Sequence, residues 1–179
     1  MAESSGEARD ALRRKAILEA ARGCFLQFGY AKTSLDDIAQ RANISRTLIY
    51  RKFKNKDDIF SALLESMVEE RYPKAEQVLA GPGSKRDKLI QVYELLTVEP
   101  WGELAGAPLV AEFYEACSQL LPEVTSKHER LQLKYTQALL ESKEIAELFR
   151  LAVEGLLTDL PPVRTLRRRI QLLAERFLP

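Results

Sequence analysis

Within seven consecutive residues the chain places Arg46, Thr47, Tyr50, Arg51 and Lys52, five hydrogen-bonding side chains of which three are cationic. Groups of this kind donate to phosphate oxygens. Where Arg and Thr reach base edges, they also read the acceptors of the DNA major groove. Nothing in the sequence adds bond-breaking chemistry to them. There is one His, no Gly-rich phosphate loop, no serine elbow and no metal-ligand spacing, and the carboxylates of Asp36-Asp37 and Glu69-Glu70 are neighbours that point apart on a helix. The chemistry on offer is recognition of a polyanion; no enzyme activity, no metal and no cofactor is expected.

A basic run alone is usually solvated surface. Here local signals on either side would hold it at a fixed angle. Ser34 followed by Leu35, with Asp37 three residues after Ser34, is a capping-box start. The short helix that follows buries Leu35, Ile38, Ala39 and Ala42 and stops at Asn43, which tolerates the left-handed conformation. Ser45 caps a second helix with Leu48, Ile49 and Phe53 toward a core and the basic residues outward. Asn55, with Asp58 three residues on, caps a third near Lys56, where a lysine beside the positive end of the helix dipole is unfavourable unless an anion shares the site. Capping, turn and basic face together occupy one helix-turn-helix length, so the second helix is the predicted reader of a groove. Arg46 and Thr47 are the expected base contacts, and Ser34, Ser45, Tyr50, Lys52 and Lys56 mainly position phosphates. Arg51 stays open between the two roles.

From Ile17 to about Leu63 the chain resembles the TetR family of bacterial transcriptional regulators. The likeness is carried by Ile-Leu-x-Ala-Ala from Ile17, Phe28-Gly29-Tyr30, Thr33-Ser34 with Ile38-Ala39, Ile44-Ser45 with Ile49-Tyr50, and Phe53-x-x-Lys56 before a hydrophobic helix. Thr47 stands where the family often has Gly, and Leu48 where it often has a small or hydroxyl residue. Leu48 can therefore contribute only apolar contact, as with a thymine methyl. The resemblance implies an all-α protein: an N-terminal three-helix head, residues 1–56, joined to a helical bundle body, residues 57–179, for effector binding and dimerisation. It implies a homodimer on double-stranded DNA, most often as a repressor, released by a small-molecule effector. Two reading helices about 34 Å apart would require a near-palindromic operator. The competing expectation is a helical ligand carrier or scaffold that does not read DNA.

Composition agrees with a soluble globular chain of 179 residues, 46% hydrophobic and 30% charged. The net charge of +1 hides an asymmetry. Residues 1–56 hold 12 Lys and Arg against 6 Asp and Glu, net +6, leaving 15 against 20, net −5, for the remainder. A basic head on an acidic body suits one-ended contact with nucleic acid. Cys24 and Cys117 lie far apart, which predicts free thiols in a reducing cytoplasm. Residues 1–10 lack the apolar core of a signal peptide, and no apolar run approaches the ~18 residues of a membrane span.

The first helix is expected to follow a disordered tail ending near Gly6 and to run to Phe28, burying Ile17, Ala20, Ala21, Cys24, Phe25 and Phe28, with Gly29 as its C-cap. Arg9, Arg13, Arg14 and Lys15 face phosphates or water. A helix from Asp57 should break near residues 70–73, where Tyr72-Pro73 follows, and a linker falls at Gly81-Pro82-Gly83-Ser84. Helices are then expected at 85–98, 109–120, 122–140, 145–157 and 163–177, separated by an irregular stretch from Trp101 to Pro108. Two stripes in the last pair, Ile145-Phe149-Ala152-Leu156 and Leu166-Ile170-Leu173-Phe177, have the spacing of helix-packing seams. By resemblance they are the dimer interface, while by spacing alone they could equally close the monomer's own core. Arg167, Arg168 and Arg169 spread around their helix and form a solvated rim. By resemblance again, Tyr93, Trp101, Phe113, Tyr114 and His128 are the candidate effector-lining residues. The identity of an effector, the operator sequence and the sign of regulation are not encoded in these patterns.

Overall fold

Apolar residues recur at helical spacing along nearly the whole chain, and the fold is built accordingly. The structure, a computed structural model, describes residues 2–178, with side chains from residue 8 onward, and among them there is no strand. The helices are α1 (Ala2–Phe28), α2 (Leu35–Arg41), α3 (Arg46–Lys52), α4 (Lys56–Glu69), α5 (Tyr72–Ala80), α6 (Lys85–Tyr93), α7 (Glu99–Gly102), α8 (Val110–Leu120), α9 (Pro122–Leu140), α10 (Lys143–Gly155) and α11 (Val163–Phe177). They divide into two compact units, one of residues up to Glu65 together with Ala107–Leu121, the other of Ser66–Gly106 and Pro122 onward.

In the first unit α1 starts at Ala2, not after Gly6. Ile17, Ala21, Cys24 and Phe25 are enclosed, but Phe28 is 44% exposed while Leu18 and Leu26 turn inward. Gly29, at φ 82°, ends the helix and its amide bonds the Phe25 carbonyl at 3.0 Å. Phe60 of α4 packs edge-on against Phe25 at 5.1 Å and against Phe113 of α8 at 5.2 Å. The first unit therefore runs past the boundary expected at Lys56. The opening turns of α4 and the distant helix α8 both complete its core, which no local pattern around Lys56 could announce.

In the second unit α4 gives way to α5 at Arg71, with Pro73 in the first turn, where its missing amide costs nothing. The Arg71 guanidinium caps the Met67 carbonyl and reaches Glu99 at 3.2 Å and Glu103 at 2.5 Å, tying the break to α7 and the turn after it. The helix expected to stop at Glu99-Pro100 instead continues. After α6 it widens into a π-helical turn, Glu94–Val98, and re-forms as α7 with Pro100 in its first turn. The wide turn re-registers the backbone bonds just where proline cannot donate. Trp101 is buried there, its indole donating to the Pro161 carbonyl at 2.8 Å.

His128 on α9 lies in this same unit with the Tyr72 hydroxyl 3.0 Å from its Nδ1. Burial holds its pKa down at about 4, only partly opposed by the Leu96 backbone. The unfolded imidazole takes a proton near pH 6.5, so between about 6.5 and 4 the unfolded chain binds more protons than the folded one. Stability should fall as pH drops through that window, by up to about 3 kcal/mol from this site. Urea unfolding at pH 7 and pH 4.5 should show a larger loss in the wild type than in His128→Gln.

Candidate nucleic-acid interface

α2 and α3 are set by the caps their sequence carries. Ser34 accepts from the Asp37 amide at 3.2 Å while Asp37 accepts from the Ser34 amide at 2.8 Å, completing the capping box. The Ser34 hydroxyl, which donates to the Asp37 carboxylate at 2.6 Å, and then the Ser34 amide hold that carboxyl below the usual carboxylate range. α2 buries Ile38 and Ala39. Asn43 turns the chain at φ 52°, and Ser45 caps α3 by accepting from the Leu48 amide at 3.2 Å. Within α3 only Ile49 is fully enclosed, with Phe53 buried just beyond its end, so Arg46, Thr47, Tyr50 and Arg51 are left in solvent. Leu48 is half-buried and sits between the core and the outward face.

The cations around this face do not all stand free. Arg46 pairs with Asp36 of α2, and Lys52 pairs with Asp10 of α1, which holds the Asp10 carboxyl below its ordinary range. Lys56 donates to the Tyr30 carbonyl at 2.7 Å and the Ala31 carbonyl at 3.3 Å, and its ammonium lies 4.4 Å from the Tyr30 ring centre. The lysine thus already offsets its place at the helix N-terminus by capping the turn after α1, and one of its three N–H groups is left for an anion. Tyr30, which sequence reasoning did not single out as functional, also donates to Asp57 and stacks between Phe25 and Phe60 at 5.6 and 4.9 Å. The only signal for it was the Phe-Gly-Tyr run. Thr33, buried, donates to the Gly29 carbonyl at 2.8 Å and closes the same turn.

The five residues expected to line an effector site are shared between the two units. Phe113 and Tyr114 belong to the first unit, where Phe113 completes the aromatic cluster with Phe60. Tyr93, Trp101 and His128 belong to the second, and each is engaged there. Tyr93 meets Thr136 at 2.9 Å, Trp101 meets Pro161, and His128 meets Tyr72. Large aromatic residues bury for packing as readily as for ligands. Two surface grooves, of about 660 and 400 Å³, run along α9 from Arg130 to Glu141 and beside Phe28 and Leu109, and neither includes any of the five.

The two stripes expected at a dimer interface divide between core and surface within the single chain. Phe149, Leu166 and Ile170 are 0–1% exposed and close the second unit's own core, Phe149 lying edge-on to Tyr93 at 5.0 Å and to Phe177 at 5.1 Å. Ala152, Leu156, Leu173 and Phe177 are half-buried, and of the eight only Ile145 is exposed. The apolar surface left on α10 is Ile145, Leu148 and Leu151, and at Gly155 a side chain would meet open space. Arg167, Arg168 and Arg169 face Glu94, Glu175 and Asp159. Cys24 and Cys117 are buried free thiols, and no helix among the described residues is long and apolar enough to cross a membrane.

Comparison with known proteins converges on this helix-turn-helix. Residues 17–63 fit the family model described as bacterial regulatory proteins, tetR family. The HTH-type transcriptional regulator YhgD of Bacillus subtilis (strain 168) is 30% identical over 130 residues, 72% of this chain and 68% of that protein. A TetR-like transcriptional regulator from Rhodococcus sp. RHA1 superposes with a TM-score of 0.67 at 26% identity, covering 93% of this chain and 95% of the other. SmeT, the repressor of the Stenotrophomonas maltophilia multidrug efflux pump SmeDEF, shares the fold with a TM-score of 0.70 at 23% identity, over 92% of this chain and 88% of its own. With a relative this similar over most of both chains, and with the capped helix α3 inside the matched stretch, the chain belongs to the TetR family of bacterial transcriptional regulators.

Proposed function

We propose that the chain is a cytoplasmic repressor that binds a near-palindromic operator as a homodimer and leaves it when a small molecule binds the body. The observation that carries this reading is the outward face of α3, where Arg46, Thr47, Tyr50 and Arg51 are exposed on a helix capped at Ser45 and buried by Ile49. Donors at the N-terminal end of a helix of this size suit the major groove. Ser34, Ser45, Lys52 and Lys56 flank that face and position phosphates, Lys52 by exchanging Asp10 for a phosphate oxygen. Residues 1–56 supply the DNA contacts, and residues 57–179 supply the effector and dimer functions. The second subunit would be met by the exposed leucines of α10. SmeT has been solved as a triclosan complex, which supports a small, largely apolar effector here. Release requires only that such a ligand prefer the arrangement that does not fit the operator.

Selection of bound duplexes from a randomised pool, followed by gel-shift titration at two salt concentrations, tests the reading. Arg46→Ala should cost about 1 to 3 kcal/mol at the selected site and relax one base position. Lys52→Ala should weaken all duplexes alike and lower the salt slope by about one. Equal loss of specificity in both variants would reject the division of labour.

A further inference from the structure

Resting on the reading of α3 as the base-reading helix, we propose that Asp36 is a positioning residue that orients Arg46 for guanine and so sets specificity at one base pair of the operator. Asp36 is the second residue of α2 and Arg46 the first of α3, and the turn at Asn43 brings them together so that Arg46 Nη2 donates to Asp36 Oδ2. The arginine side chain remains 73% exposed and the carboxylate 36%. A guanidinium is a planar fork of five N–H donors, and this bond occupies one end of it. No other partner holds Arg46 among the described residues, so the remaining donors face outward, and two of them match guanine O6 and N7.

The other carboxylate oxygen decides between direct and indirect action. Asp36 Oδ1 is enclosed and has no hydrogen-bond partner among the described residues. That atom is closed to a base, and Oδ2 already accepts from Arg46, so the action proposed for Asp36 runs through Arg46. A carboxylate on a DNA-facing surface opposes binding to every sequence alike, since it repels phosphates. What it supplies in return is a fixed guanidinium. Without it Arg46 is a long, free cation able to settle on phosphates of any sequence.

The test uses the full chain and a duplex selected by the wild type from a randomised pool, with the four base pairs substituted at the position whose guanine preference is lost in Arg46→Ala. In Asp36→Ala, discrimination at that position should fall about tenfold, while affinity for an unrelated duplex holds or rises. Asp36→Asn, which keeps an acceptor oxygen, should retain part of the discrimination, and Asp36→Ala combined with Arg46→Ala should discriminate no worse than Arg46→Ala alone. Thermal melts confirm that each variant is folded. Three results would overturn the proposal: undiminished discrimination in Asp36→Ala, a proportional loss on selected and unrelated duplexes, or tighter binding of the selected duplex with discrimination intact, which would make the pair a lock. If the wild type selects no sequence, the reading of α3 itself falls first, and that outcome is distinct from the other three.

Discussion

Replacing Leu148 and Leu151 together by glutamate should yield a folded monomer that has lost operator binding. Both side chains are more than half exposed, at 55% and 53%, on a helix whose other face closes the core, so the isolated subunit loses little by the change. Burying the exposed half of two such leucines in each of two subunits would contribute roughly 1 to 1.5 kcal/mol per side chain. Glutamates related by a two-fold axis would instead oppose one another in a dehydrated seam. Two linked heads gain from effective concentration, and losing that link lowers affinity for a palindromic site by about 10² to 10⁴-fold. Light scattering behind size exclusion reports the mass, circular dichroism the helicity, and gel shifts the binding. A double variant that stays dimeric would place the interface elsewhere.

One residue along the helix the outcome should invert. Phe149→Ala is expected to cost about 3 to 5 kcal/mol of folding stability, the range for removing a buried aromatic side chain. Phe149 is 0% exposed and lies edge-on to both Tyr93 and Phe177, so the void opens in the middle of the second unit's core. Against the 5 to 15 kcal/mol that holds a typical domain, such a loss leaves a marginal protein. Urea unfolding measures it directly, and Phe149→Leu should recover part of the loss. If Phe149→Ala dimerises poorly while unfolding at the wild-type midpoint, the side chain belongs to an interface and not to the core.

The contrast between these neighbours shows where sequence reasoning stops. α10 carries apolar residues on two faces at once: Ile145, Leu148 and Leu151 on one, Ala146, Phe149 and Val153 on the other. Both stripes satisfy helical spacing, and periodicity cannot say which of them meets the chain's own core. Only the positions of Tyr93 and Phe177 in space decide it. An aromatic residue is ambiguous in a related way, since it advertises burial without advertising what it is buried against. Pro100 misled in another way: a π-helical turn let the helix pass a residue that ordinarily ends one.

What the amino-acid sequence determined unaided is the helix-turn-helix. Ser34, Asp37, Asn43 and Ser45 act on backbone groups within four residues of themselves, so their caps and turn are local chemistry that spacing reveals. The tertiary structure alone decided that Lys56 closes the turn at Tyr30, that α8 completes the first unit, that Asp36 holds Arg46, and which face of α10 is left bare. Each of these depends on groups ten or more residues apart, whose meeting is set by how whole helices pack.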